Sequence, residues 1–314
     1  MAASAEKSLS DLIRKRATEL GFDLFGIARA RKLAEAQSVL SRWCSEGMHD
    51  RMNYLLREPE KRANPEILFS GARSMVVTGL NYFTDKRQIH PDVPVISIYA
   101  LGKDYHDIIK GRLELLLDYI KTIAPEAEGR AFCDDAPLLE KPWAAEAGLG
   151  WKGKHSIIIN DKIGSFFFIG VLILNIDLEY NNQVQNDKCG SCSLCIDHCP
   201  TGAINNDRTI DARRCIANLT IGNRGSVPEE IIPLMDKRVY SCDICQDVCP
   251  WNKNAKPHNV PEFIISDELA NMSKEEWLAL DKDKFDSLFN GTPVERVKFE
   301  RFKRNIEAVI GNVL

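Results

Sequence analysis

Eight of the ten cysteines fall between residues 189 and 249, at spacings suited to iron. Cys189, Cys192, Cys195 and Cys199, followed by Pro200, form the C-x2-C-x2-C-x3-C-P run of bacterial ferredoxins. The fourth cysteine of that run ligates the other cluster of a pair. Cys242, Cys245 and Cys249, followed by Pro250, repeat its last three members. The missing first member would stand at Val239, which cannot bind iron, and Cys215 is the spare thiol nearby. One [4Fe–4S] cluster is therefore assigned to Cys189, Cys192, Cys195 and Cys249, and a second to Cys199, Cys215, Cys242 and Cys245. Such a pair passes electrons singly and does no bond chemistry by itself.

Competing uses of these thiols fit less well. Disulfides need an oxidising compartment, and the N-terminal stretch, with Glu6, Lys7, Arg14, Lys15 and Arg16, contains no apolar export segment and no twin-arginine signal. Zinc sites share the CxxC spacing, but not three cysteines at two-residue intervals followed by Cys-Pro. Cys44 and Cys133 stand apart and read as small buried hydrophobes.

Beyond the thiols, Asp134 and Asp135 are adjacent carboxylates ahead of Ala136-Pro137. Two roles suit them. They can cap a helix starting near Pro137, the commoner use of Asp, or one can sit in an apolar pocket, with raised pKa, as a proton donor. The stretch Gly148-Leu149-Gly150-Trp151-Lys152-Gly153-Lys154-His155 serves equally as a tight helix-to-strand turn or a phosphate cradle. There is no GxGxxG loop after a strand and no Walker A loop. The Asp-x-His-x-x-Gly pattern that places histidine on the cobalt of cobalamin is also missing, because Asp104-Tyr105-His106 has Ile109 where the glycine would be.

These groups need a scaffold. A chain of 314 residues with 44% hydrophobic and 27% charged content is long enough for about two soluble domains. A net charge of −4 excludes a uniformly basic nucleic-acid coat, though not a local basic face. The longest apolar run, Phe166 to Leu174, has nine residues and is too short to span a bilayer. A cytoplasmic location follows, without membrane partners, where thiols stay available to iron.

Cysteine density divides the chain into residues 1–180, a 181–260 ferredoxin-like module and a 261–314 helical tail. The first part reads as mixed α/β. Leu9, Leu12, Ile13 and Leu20 mark a helix over Ser8–Leu20 that stops at Gly21, and Ile109, Leu113, Leu116, Leu117 and Ile120 mark another over His106–Ile123. Ser74–Leu80, Val93–Leu101, Ile157–Ile159 and Phe166–Ile173 read as strands. In the tail, Ser273 and Glu276 form a capping box, and Arg296, Lys298, Arg301, Lys303 and Arg304 make a basic helix-like segment. That segment suits either tRNA phosphates or a solvated face, since Glu295 and Glu300 dilute it.

With these motifs assembled, the chain resembles the epoxyqueuosine reductase family over nearly its whole length. The resemblance rests on Glu60-Lys61-Arg62-Ala63-Asn64-Pro65, Gly102-Lys103-Asp104-Tyr105-His106, Asp134-Asp135-Ala136-Pro137, Gly148 through Ser156 and the two cysteine runs, the first continuing Pro200-Thr201-Gly202-Ala203-Ile204. It implies a first domain of the nitroreductase-like fold shared with reductive dehalogenases, binding cobalamin base-off, joined to a ferredoxin-like domain with two [4Fe–4S] clusters. It also implies reduction of the epoxide of epoxyqueuosine, at the wobble position of the tRNA anticodon, to the cyclopentene of queuosine. Electrons would come from a small donor such as flavodoxin or ferredoxin.

By the same resemblance, Asp134 is the proton donor and should be buried. Arg62, Ser97, Asp134, Lys154, Ile158 and Ile169 fall at cobalamin contacts, and Tyr105 and His106 line the substrate pocket. Ser97 departs from relatives with a cysteine there. Helical repeats that follow the ferredoxin module in some relatives are not in this sequence. Two other readings share the cofactors or the clusters: a reductive dehalogenase, which would normally carry an export signal, and an electron-transfer or cobalamin-handling protein without its own substrate.

Overall fold

Four strands form an antiparallel sheet in the spatial order Leu24–Arg29, Ser74–Asn81, Phe167–Leu174, Gly129–Phe132. The structure, a computed structural model, describes residues 8–180 and 183–310; Glu6, Lys7 and the boundary residue 181 lie outside them. The eight strands in chain order are β1 (Leu24–Arg29), β2 (Ser74–Asn81), β3 (Val95–Ile96), β4 (Gly129–Phe132), β5 (Trp151–Lys152), β6 (Ile158–Ile159), β7 (Phe167–Leu174) and β8 (Arg238–Tyr240).

β2 is buried along its whole length, and β7 nearly so, because both faces of the sheet are covered. Successive residues therefore serve opposite layers. Val76, Leu80, Phe168 and Leu172 pack towards the helices Leu9–Glu19 and Tyr105–Ile123. Met75, Val77, Phe167, Val171 and Ile173 pack towards Leu33 and the helix Glu140–Glu146. Gly170 lets the long helix approach, since a β-carbon there would lie 2.6 Å from Ile109 Cγ2. The two long strands and both helices follow the sequence expectation to within a residue or two.

Val93–Leu101 does not. Pro94 has no N–H to give a ladder, so only Val95–Ile96 is extended, and Ile98–Ala100 coils into a 3₁₀ turn. The short strand still matters, because β3 pairs in parallel with β8 between the two cysteine-rich runs. The core that holds Ile13 and Leu113 continues through Ile216, Val239 and Phe263 to Trp277 and Phe302 of the tail.

The tail's basic segment is not one helix. Pro293–Val297 is a 3₁₀ turn, Lys298 takes a left-handed φ of 67°, and the helix begins at Phe299 and runs to Ile310. Its apolar stripe of Phe302, Ile306 and Val309 is buried, and Asn305 reaches across to Thr220 O and Val239 O at 2.9 and 2.8 Å. The Ser273–Glu276 capping box forms as the sequence indicates.

Candidate functional site

The fold gathers the eight cysteines of the two runs into two places. Cys189, Cys192, Cys195 and Cys249 surround a small cavity shared with Lys154, Lys188 and Trp251. Cys199, Cys215, Cys242 and Cys245 reach a second, much larger cavity of about 820 Å³. The two helical turns Leu194–Asp197 and Ile244–Asp247 carry equivalent parts of the runs. None of the ten cysteines forms a disulfide. Burial pushes the Cys242 thiol up to about 11 and raises Cys215 and Cys245 as well, so these thiols favour the neutral form until a metal draws the proton off.

The large cavity lies between the two halves of the chain. Ser97, Tyr99, Lys152, His155, Ser156 and Ile158 line it from the first half, and the four cysteines with Ser241 and Asp243 from the second. Ser97 Oγ donates to Asp243 Oδ1 at 2.5 Å, and the Ile98 N–H donates to the other oxygen at 2.9 Å. The glycine-bearing stretch is a helix-to-strand turn: Gly148 adopts φ +74°, and a β-carbon on Gly150 would meet Ile159 O at 2.1 Å. Beyond the turn, His155 Nε2 is buried without a hydrogen-bond partner among the described residues. Burial, helped by the charge of Lys141, depresses the imidazole pKa to about 4 and keeps it neutral.

A neutral, unpaired ring nitrogen on an apolar wall is costly unless a ligand supplies its partner. The cavity also falls at the large end of the 300–1,000 Å³ range usual for cofactor pockets. The sequence motif that contains His155 gives it no role, because its orphaned nitrogen is visible only in three dimensions.

Other expected cofactor contacts lie elsewhere. Lys154 Nζ donates to Gly190 O and Cys192 O at 2.9 and 2.8 Å, on the loop of the Cys189 cluster. Arg62 is buried beside Tyr54, donating to its carbonyl at 2.8 Å with the guanidinium 5.6 Å from the ring centre. Ile169 is half-buried on β7, packed with the core on the Trp143 side of the sheet. None of these three lines the large cavity; Ser97 and Ile158 do.

Asp134 is not buried: 70% of its side chain is exposed, at a left-handed φ of 53°. Tyr105 Oη donates to its Oδ2 at 2.8 Å, and His106 Nε2 lies 4.0 Å from the same oxygen. Tyr105 is itself stacked on Phe168, with ring centres 4.0 Å apart, and meets the cavity residue Tyr99 edge-on at 6.2 Å. Neither aspartate caps a helix. The helix starts at Glu140 with Leu139 at its N-cap, Asp135 pairs with Lys110 at 2.6 Å, and Glu140 Oε1 accepts the Asp134 N–H at 2.6 Å.

The tail's cations are mostly occupied. Arg296 grips Asp104, Arg301 donates to Ile221 O, Lys303 to Leu278 O and Leu280 O, and Arg304 to Asn223 O, Gly225 O and Leu219 O. Lys298 is exposed.

Paired thiolate sets, one of them opening on a cofactor-sized cavity, define an iron–sulfur oxidoreductase. Residues 188–252 match the model of the 4Fe-4S double cluster binding domain, and residues 62–135 that of "Epoxyqueuosine reductase QueG, DUF1730". The chain is 41% identical over 298 residues to the epoxyqueuosine reductase of Cellulophaga algicola, covering 95% of this chain and 97% of that one. It is 38% identical to the Escherichia coli enzyme over 309 residues, covering 97% and 81%. A crystal structure of epoxyqueuosine reductase with an epoxyqueuosine-modified tRNA-Tyr stem loop superposes with a TM-score of 0.89 at 29% identity, covering 96% of this chain and 80% of that one. The chain belongs to the epoxyqueuosine reductase family. That membership takes precedence over the dehalogenase and plain-carrier readings.

Proposed function

We infer that this chain reduces the epoxide of epoxyqueuosine in tRNA to the cyclopentene of queuosine. The observation that carries the reading is the large cavity with four cluster cysteines on one wall, in a chain of this family. Cobalamin is the cofactor that suits the cavity. Ser97, Lys152, His155 and Ser156 offer polar contacts for its amides, and Ile158 an apolar one for the ring. The missing Asp-x-His-x-x-Gly pattern fits base-off binding. When bound, cobalamin supplies a strongly reducing cobalt centre for cleaving a carbon–oxygen bond.

The protein's part is to deliver electrons, hold the nucleotide and provide protons. Cys189, Cys192, Cys195 and Cys249 would hold the cluster that takes electrons from a small reduced donor, and Cys199, Cys215, Cys242 and Cys245 would hold the one on the cavity wall, the pair supplying single-electron transfer. Tyr105 keeps its phenol proton, because burial and the charge of Asp134 push its pKa up, and it donates to Asp134 Oδ2. Asp134, oriented by that bond, carries a proton to the departing epoxide oxygen, where negative charge develops. The modified nucleotide is splayed from the anticodon loop towards Asp134, which Tyr105 connects to the cavity residue Tyr99. Among the tail's basic residues, exposed Lys298 is the one best placed for a phosphate. The reaction belongs in the cytoplasm with its tRNA; among the described residues no helix is long and apolar enough to cross a membrane.

Strictly anaerobic reconstitution tests the reading. The protein should take up about eight irons, as two four-iron clusters require, and one corrin with a base-off spectrum. Under a low-potential reductant it should then convert epoxyqueuosine tRNA. Iron uptake without corrin binding, or corrin binding without conversion, contradicts it.

A further inference from the structure

Two protons are consumed for each epoxide reduced to an alkene and water, and Asp134 carries only one. Once an anticodon loop covers exposed Asp134, the second must come from within the protein. Behind Asp134 lies a built line of side chains. His106 has a side chain only 10% exposed, and its Nδ1 is 2.6 Å from Asp104 Oδ1. The other oxygen of Asp104 takes a fork from Arg296, with Nη2 at 2.6 Å and Nε at 2.8 Å. Burial works against charge on Asp104, but the bonds from His106 and Arg296 outweigh it and hold the carboxyl at about 2.

With Asp104 fixed as a charged acceptor, Nδ1 of His106 keeps its hydrogen, and Nε2 is left to face Asp134. Tyr105 packs against the imidazole at 4.1 Å between ring centres and limits its rotation. The charged and titratable groups facing His106 are therefore Asp104 at its own helix start, Arg296 from the tail, and Asp134 and Tyr105 beside Nε2. Lys110, one turn further on, is paired with Asp135.

We propose that His106, held by Asp104 and Arg296, is a proton relay that reloads Asp134 during turnover. After Asp134 protonates the departing oxygen, the N–H bond at His106 Nε2 breaks and a new O–H bond forms at Asp134 Oδ2. Imidazolium becomes neutral imidazole, still donating through Nδ1 to Asp104. Asp134 is then neutral again and gives the second proton to the oxygen, which leaves as water. The electrons come from the clusters, and water recharges His106 after product release. The 4.0 Å separation closes to a hydrogen bond when substrate draws Asp134 inward. His106, Asp104 and Arg296 are positioning and relay residues, and Asp134 is the catalytic acid. The proposal rests on the reductase reading above.

The test uses the reconstituted full chain. His106→Ala should lower kcat by about 100-fold, the usual worth of a positioned proton donor, with KM for tRNA held within about twofold and added imidazole restoring about tenfold. Asp104→Asn keeps a helix-capping side chain but removes the charge, and should lower kcat at an unchanged melting temperature. A folded His106→Ala protein with wild-type kcat, with a loss confined to KM, or with no imidazole rescue overturns the relay. If His106→Ala does not fold, Asp104→Asn decides: reduced kcat supports the relay and wild-type kcat overturns it. Failure of the wild-type chain to convert epoxyqueuosine tRNA sinks the reductase reading itself, a result distinct from any of these.

Discussion

Glu140 Oε1 accepts the backbone N–H of Asp134 at 2.6 Å, so the acid proposed to face the substrate is tethered from behind by a second carboxyl. Burial, reinforced by the negative charge of Asp134, pushes the Glu140 pKa up to about 8. A folded-state pKa above the unfolded value of 4.5 means that the native protein holds the proton more tightly. The stabilisation is complete below about pH 4.5 and is lost as pH rises through about 8. Glu140→Gln keeps the acceptor and cannot ionise. Its melting temperature should stay flat across that window while the wild type falls, by an amount worth a few kcal/mol at about 1.4 kcal/mol per pKa unit. Parallel curves would remove Glu140 from the account.

Cys215 is the cluster ligand assigned by pattern completion, and the structure brings it to the cavity with Cys199, Cys242 and Cys245. Cys215→Ser should lower bound iron towards four atoms per chain, since one four-iron cluster loses a ligand. Cys44→Ser, at a buried position that lines neither cavity, should leave iron content unchanged. Equal iron in the two variants would contradict the ligand assignment.

Asp243 is buried beside Cys242 and accepts from Ser97 Oγ and the Ile98 N–H. Asp243→Ala strands both donors in the interior, at a cost of about 2–4 kcal/mol in denaturant unfolding. Asp243→Asn retains an acceptor oxygen and should cost less. An alanine variant as stable as wild type would show that water takes over both bonds.

His155 lines both cavities, and its buried Nε2 has no hydrogen-bond partner among the described residues. His155→Leu removes an unpaired group, so the protein should remain folded and hold its iron, while corrin affinity falls by about tenfold, the worth of one hydrogen bond at about 1.4 kcal/mol. Unchanged corrin affinity would place the nitrogen outside the cofactor's reach.

These residues show what could be read from the chain and what could not. Ligand cysteines obey local spacing, so both runs were visible, and the buried strands β2 and β7 announced themselves by unbroken apolar stretches. The helix Tyr105–Ile123 carried its stripe in plain view. Val93–Leu101 has the apolar content of a strand, but Pro94 inside it confines the extended stretch to Val95–Ile96. The resemblance puts Asp134 in a pocket, yet it sits on an exposed left-handed turn, with the half-buried carboxyl of raised pKa six positions on at Glu140. The tail's arginines looked like a phosphate surface because charge alone does not reveal a carbonyl partner; Arg301 and Arg304 found theirs around residues 219–225. Asp104, His106 and Arg296 meet across 192 positions of sequence, a distance that no local pattern reports.

The most direct measurement is nucleoside mass spectrometry on tRNA recovered after anaerobic incubation with the reduced, corrin-loaded protein. Wild type should convert epoxyqueuosine to queuosine with loss of one oxygen, and Asp134→Asn, holding the same iron and corrin, should leave the epoxide intact. Unaltered epoxide with the fully loaded wild type, or equal conversion by the asparagine variant, would contradict the account.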